Sequence, residues 1–143
     1  MNLRSLKNKF LSPHYDNEAL LLLRLGFGGT MLLNHGWDKL TNFGSLSRSF
    51  PDPLGLGTFI GSTGGHVLSL ALCVFAEVVC AAAIVIGYQT RLAAAVLAFT
   101  MGVAFFVIHA PDPFNKKELA FVYMIAFVAI YCLGPGKHKF KKF

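Results

Sequence analysis

The sequence predicts an all-α fold, an integral membrane four-helix bundle with both termini in the cytoplasm. Three observations carry this expectation. Of 143 residues, 55% are hydrophobic and 14% charged, whereas a soluble domain of this size carries about 25% charged residues because a small globule has much surface to cover. The charges also avoid residues 67–88, with Glu77 the exception, as well as 92–108 and 119–133. Such runs read as membrane spans, each of which needs roughly 17–25 mostly apolar residues. Finally, Lys and Arg are unevenly placed. Four spans put Arg4, Lys7, Lys9, Arg91, Lys137, Lys139, Lys141 and Lys142 on one side, and Lys39, Arg48, Lys116 and Lys117 on the other. Eight against four assigns the richer side to the cytoplasm.

The first span is expected over about residues 17–40 of a single domain covering 1–143. Ser12 suits its N-cap, Pro13 its first helical position, and Asp16 and Glu18 its positive N-terminus. Gly26, Gly28 and Gly29 lower helix propensity but permit a close neighbour, a common exchange in membranes. Residues 41–66 then form a connection too long for a plain turn, so it caps or dips into one membrane face. Span two takes 67–88. Gly87, Tyr88, Gln89 and Thr90 turn sharply into span three, 91–109, forcing an antiparallel hairpin. Pro111 and Pro113 break the chain, Asp112 suits the N-cap of span four, and 115–133 completes it, with Lys116 and Lys117 able to snorkel. Residues 134–143 are a basic tail that anchors topology and favours anionic lipid.

Several classes drop out. The net charge of +6 is explained by the basic rim, so nucleic acid is not expected as a partner. Cys73, Cys80 and Cys132 lie inside apolar runs without a paired spacing, which speaks against a disulfide framework or a metal site. The basic start is not followed by a small-residue cleavage site, so the first apolar run reads as an uncleaved span.

Ionisable residues inside the spans are informative, because lipid makes them costly unless they are paired or face a polar cavity. Arg24, His35 and Lys39 point to nearly one side of a helix at 100° per residue. Counting the rise along each span from the same outer side, Arg24 and Glu77 fall at about the same depth, roughly 15 Å in, which predicts that they form an ion pair. One reading makes that pair a structural link between spans one and two. The other makes it the bottom of a polar pocket or proton path, because His35, Lys39, His109 and Glu118 converge on the outer half above it. Each has a plainer explanation: His35 as a helix cap, His109 as an interfacial histidine, and Glu118 as a favourable charge at a helix N-terminus. Tyr15, Trp37, Phe43, Tyr88 and Tyr131 fit an interfacial aromatic belt. Two histidines at one face are weak grounds for haem, and Cys73 and Cys80 suit packing.

Arg24, then His35-Gly36 with Lys39, then Glu77, then Gly87-Tyr88-Gln89-Thr90-Arg91-Leu92-Ala93-Ala94 and His109 together resemble the DoxX family of small bacterial inner-membrane proteins. The resemblance covers about residues 18–133. It implies a multi-pass protein of the bacterial plasma membrane, with Arg24, His35, Lys39, Glu77, Arg91 and His109 as the family's polar positions. Some relatives are subunits of a thiosulfate:quinone oxidoreductase, and others are membrane partners in redox and thiol-stress complexes. The chain departs from the family pattern at Cys80 and in its basic tail.

The leading expectation joins the two lines. The outer-half pocket binds a quinone-like or other small ligand, with Arg24, His35, Lys39, Glu77, His109 and Glu118 around it, within a quinone-linked oxidoreductase system that a membrane or peripheral redox partner supplies with electrons. His35 or His109 hydrogen-bonds a quinone carbonyl and supplies a proton, Glu77 relays it, and Arg24 keeps Glu77 ionised; these three, Glu77, His35 and His109, are the candidate catalytic residues. No metal is expected. The alternative is a non-catalytic assembly subunit whose Gly- and Ala-rich faces, such as Gly26, Gly28, Gly29 and residues 81–83, pack against a partner or a second copy as a homo-oligomer. A transporter has less support, since four spans without a repeat offer little for alternating access.

Overall fold

The computed structural model describes residues 13–140. Ser12, Arg4, Lys7, Lys9, Lys141 and Lys142 lie outside these residues, as does the side chain of Tyr15. The described chain is all-α, with six helical segments. Helix α1 covers residues 13–41, and two single turns follow, α2 at Phe43–Leu46 and α3 at Gly57–Ile60. Helices α4 at Ser62–Ile86 and α5 at Thr90–Ile108 come next, then α6 at Phe114–Leu133.

The boundaries depart from the sequence expectation where turn chemistry intervenes. Helix α4 starts five residues before Val67, because Gly61 at φ 84° breaks the chain after α3 and lets a new helix begin at once. At its other end Gly87 adopts φ 78°, Tyr88 N–H donates to the Ala83 carbonyl at 2.9 Å, and Gly87 N–H donates to that of Ile84 at 3.1 Å. This is the Schellman arrangement that a left-handed glycine permits. Asp112 does not cap α6. Pro113 takes the N-cap in extended geometry, and Asp112 turns back to His109 instead.

The four long helices pack in cyclic order, α1 on α4, α4 on α5, α5 on α6 and α6 on α1. Met31, Leu70, Ala81, Ile84, Ala94, Leu97, Phe127 and Ile130 fill the centre and are all essentially inaccessible. Small residues at Ala81 and Ala94 let α4 and α5 approach closely, as the short turn between them requires. The outside is as apolar as the inside. Leu22, Leu33, Val79, Leu92, Phe99, Phe106, Leu119 and Leu133 are each at least half exposed, a surface that water would drive to associate and lipid would solvate. Helices α4 and α5 are long and apolar enough to cross a membrane. Helix α1 is diluted by Arg24, Asn34 and His35, and α6 carries Lys116, Lys117 and Glu118 in its first turns.

Four stretches are π-helical: Arg24–Gly28, Met31–Gly36, Phe75–Cys80 and Ala104–Ile108. Each widens the turn by a residue, so side-chain phase no longer advances by 100°. The expectation that Arg24, His35 and Lys39 share one side fails for His35, while Arg24 and Lys39 both reach α4. Arg24, Gly28 and Gly36, spaced in fours, all meet α4, whereas His35 swings to α6 and packs its ring edge-on against Tyr123, centroids 5.5 Å apart.

The connection after α1 is folded and tied to α4. Asp52 accepts hydrogen bonds from Leu56 N–H at 3.0 Å, Gly57 N–H at 2.7 Å and the Ser69 hydroxyl at 2.8 Å, while His66 bonds the Phe50 carbonyl. The Gly57 N–H foremost, helped by the Ser69 hydroxyl, holds the Asp52 carboxyl below the usual carboxylate range. A folded value below the unfolded one stabilises the fold above the ordinary value, and that contribution is lost as pH falls through the lowered one. Exchange protection of the Leu56 and Gly57 amides, normalised for intrinsic rate, is therefore expected to persist down to about pH 4, the ordinary Asp value, and to fail only below it. Asp52→Asn should remove that acid transition.

Candidate functional site

A cavity of about 570 Å³ lies between the halves of α4 and α5 nearest the folded connection. Its walls are mostly apolar, with Leu72 and Phe75 from α4 and Val96, Phe99 and Val103 from α5. Phe50, Pro51, Pro53 and Leu54 form a roof, held down by the Asp52 and His66 ties. Its volume falls within the ordinary range for small-molecule sites.

Polar groups are few and grouped. Lys39 Nζ donates to Glu77 Oε2 at 2.6 Å, and the Cys73 thiol donates to Glu77 Oε1 at 3.3 Å. The Glu77 side chain is 3% exposed and that of Lys39 22%, so the carboxylate is enclosed with its counter-ion while the ammonium borders the open space. Bringing these groups together needs α1 and α4 nearly in contact, which Gly36 provides. A Cβ at Gly36 would lie 2.5 Å from the Glu77 carbonyl oxygen. His109, at the end of α5, also lines the cavity. Its Nδ1 lies 2.8 Å from Asp112 Oδ2, and because a carboxylate only accepts, Nδ1 carries the proton and Nε2 is left for another partner. The same bond holds the Asp112 carboxyl below its ordinary range.

The ion pair between Arg24 and Glu77 is not formed. Arg24 is 1% exposed and donates to the carbonyls of Ile84 at 2.8 Å, Val85 at 3.0 Å, Pro135 at 2.7 Å and His138 at 2.5 Å. Helical side chains lean toward the N-terminus, so Arg24 reaches down to the end of α4 while Lys39 reaches back from the opposite end to Glu77. Axial rise located the Cα atoms and missed this lean. The structure thus gathers Lys39, Glu77 and His109 around one cavity. It places Arg24 at the far end of α4, His35 between α1 and α6, and Glu118 exposed on α6 outside the cavity lining. Two participants escaped the sequence reading. Cys73 stands four residues before Glu77, one helical turn, which was the available sign of its bond; the roof residues carried none.

The ion pair has a measurable signature. Glu77→Met should cost about 3–5 kcal/mol, because it strands the Lys39 ammonium over an apolar cavity. Lys39→Met should cost a similar amount, and the double variant far less than the sum. Unfolding in mixed micelles reads all three, and additive losses would refute the pairing.

A family model described as DoxX matches residues 19–110, a stretch that holds most of α1, the roof, α4, α5 and every cavity residue. No curated protein and no solved structure matches the chain.

Proposed function

The chain belongs to the DoxX family, and from that premise we propose a four-span protein of the bacterial inner membrane, both termini cytoplasmic, that binds a quinone-like ligand in its outer-half cavity as the membrane subunit of a redox system. The support is the cavity's make-up. Its walls are apolar, and polar groups stand at two places, the Lys39 ammonium, a donor with N–H groups beyond the one given to Glu77, and the His109 ring, whose unspent Nε2 accepts while Nδ1 carries the proton. That set fits a flat apolar ring with a carbonyl oxygen for Lys39 at one end and, in its reduced form, a hydroxyl for His109 at the other.

When bound, a quinone supplies two-electron, two-proton redox chemistry, with electrons coming from a partner or substrate. The chain's share is binding and proton handling. Lys39 donates to one ring oxygen, His109 Nε2 accepts from the hydroxyl of the reduced ring at the other, the roof excludes water, and Glu77, paired with Lys39 rather than Arg24, is the enclosed base that exchanges a proton at the cavity floor. His35 and Glu118 have no part in this arrangement.

In lipid nanodiscs a short-chain, fully substituted benzoquinone is expected to bind saturably, one per chain. His109→Ala, read with the reduced ring, and Lys39→Met combined with Glu77→Met so that no charge is stranded, should each weaken binding at least tenfold while the melting temperature shows the fold retained. Saturation that is absent, or indifferent to both changes, favours the assembly-subunit reading. That second reading has its own support on α1, where a Cβ at Gly26 or Gly29 would meet nothing within 4 Å beside exposed Leu22, Leu25 and Leu33. Such a flank accepts a close neighbour.

A further inference from the structure

Resting on the cavity reading above, we propose that the ligand is a single-tailed amphiphile that reaches the cavity sideways from the bilayer, between Phe75 of α4 and Phe99 of α5, and keeps its tail in that gap.

The first ground is where the cavity opens. Leu72, Phe75 and Phe99 line it, yet they are 49%, 51% and 63% exposed. The space therefore runs from enclosed Glu77 out to the flank of the bundle. Phe99 lies nine residues before Ile108, about 14 Å down the axis at 1.5 Å per residue. Acyl chains rather than headgroups surround a membrane helix at that depth.

The second ground is that the other approach is fastened. The roof over the outer end is tied by Asp52 to Ser69 and to the backbone of Leu56 and Gly57, and by His66 to Phe50. Approach through the roof must break these bonds together. Approach from the flank asks only that aromatic side chains turn about χ1, a rapid motion at an exposed position.

The third ground is the order of polarity along this path. Lys39, Cys73 and Glu77 stand at the inner end and His109 at the outer end, whereas the lateral opening between Leu72, Phe75 and Phe99 is wholly apolar. A water-soluble solute would cross that opening at a cost, because its polar groups would lose hydration without gaining partners. A molecule with a compact hydrogen-bond-accepting head and one chain meets matching surroundings throughout. The volume accommodates such a head and the first part of one chain.

Two photoactivatable probes test this in lipid nanodiscs. Both carry a diazirine in a decyl tail; one has a fully substituted benzoquinone head that does not arylate Cys73, the other a carboxylate head. Labelled peptides are located by mass spectrometry. At least one probe is expected to label residues 72–75 and 96–103 preferentially. That labelling should fall at least fivefold when the matching tail-free head competes, and again in Phe99→Trp, whose melting temperature reports the fold. The wild-type competition stands even where the variant does not fold. Labelling spread evenly along the lipid-facing helices, or unmoved by the competitor, overturns the proposal. If the tail-free benzoquinone then still saturates the protein, its ligand arrives from the aqueous side and the cavity reading survives; if it does not, both fall.

Discussion

Replacing Arg24 by methionine is expected to destabilise the protein by about 3–5 kcal/mol, although the unbranched stem is kept and only the guanidinium is lost. Hydrogen bonds from a charged donor contribute roughly 1.5–3 kcal/mol each, and Arg24 makes four to carbonyls on two distant parts of the chain. The carbonyls at the end of α4 are fully accounted for. Among the described residues, Ala83 accepts from Tyr88, Ile84 from Gly87 and Arg24, Val85 from Arg24, and Ile86 from Phe140 N–H at 3.2 Å. Methionine returns Val85, Pro135 and His138 to the unpaired state that terminal helix carbonyls otherwise suffer. Water reaching this end recovers part of the loss, so the effect stays below the sum of four bonds. Lysine should not rescue it, because one ammonium lacks the planar fork that serves both directions. Equilibrium unfolding in mixed micelles gives the magnitude, and proteolysis of residues 135–140 gives the location. A loss below 1 kcal/mol with an unchanged digestion pattern would show that the clamp carries no weight.

Gly36→Ala should be the most damaging single methyl addition at the α1–α4 contact. The new Cβ would stand 2.5 Å from the Glu77 carbonyl oxygen, 2.8 Å from its carbon and 2.9 Å from Val78 Cγ2. Two of these are backbone atoms, so α1 must move away from α4, and the 2.6 Å contact of Lys39 with Glu77 goes with it. Overpacking of this kind costs about 1–3 kcal/mol, and benzoquinone binding should weaken more than tenfold because the cavity floor is disassembled. Gly29→Ala is the matched control. Nothing lies within 4 Å of its Cβ, and alanine is the better helix former by up to about 1 kcal/mol, so that variant should be neutral or stabilised. Equal effects from the two substitutions would mean that α1 and α4 are not in contact at Gly36.

Most of the architecture was legible in the sequence because it depends on coarse quantities. Charge-free runs placed α4, α5 and α6 within a few residues, and glycine and proline placed the turns at Gly87 and Pro113. The grouping of Lys39, Glu77 and His109 was legible too, since ionisable residues in apolar runs are few and the topology sends these three toward one end. What could not be read was which cation meets Glu77. That depended on the backward lean of helical side chains and on π turns, which leave no compositional mark. His35 shows the cost of assuming regular phase, since one widened turn sends it to Tyr123 instead of the cavity. The roof was foreseen only as a cap of unspecified form. Its fixing point, Asp52, is a loop carboxylate whose partners are mostly backbone N–H groups, and those are invisible in side-chain identities.

The Arg24 clamp also bears on the order in which the protein is made. Two of its acceptors, Ile84 and Val85, lie about sixty residues downstream, and the other two, Pro135 and His138, more than a hundred. During synthesis the first helix must therefore hold a guanidinium with half of its partners still untranslated, and only the stretch beyond α6 completes the set. A chain interrupted before residue 135 has every long helix and lacks the closure. Surveillance that senses unsatisfied polar groups in nascent membrane proteins would thus meet, at Arg24, a buried charge whose pairing waits on residues beyond the last long helix.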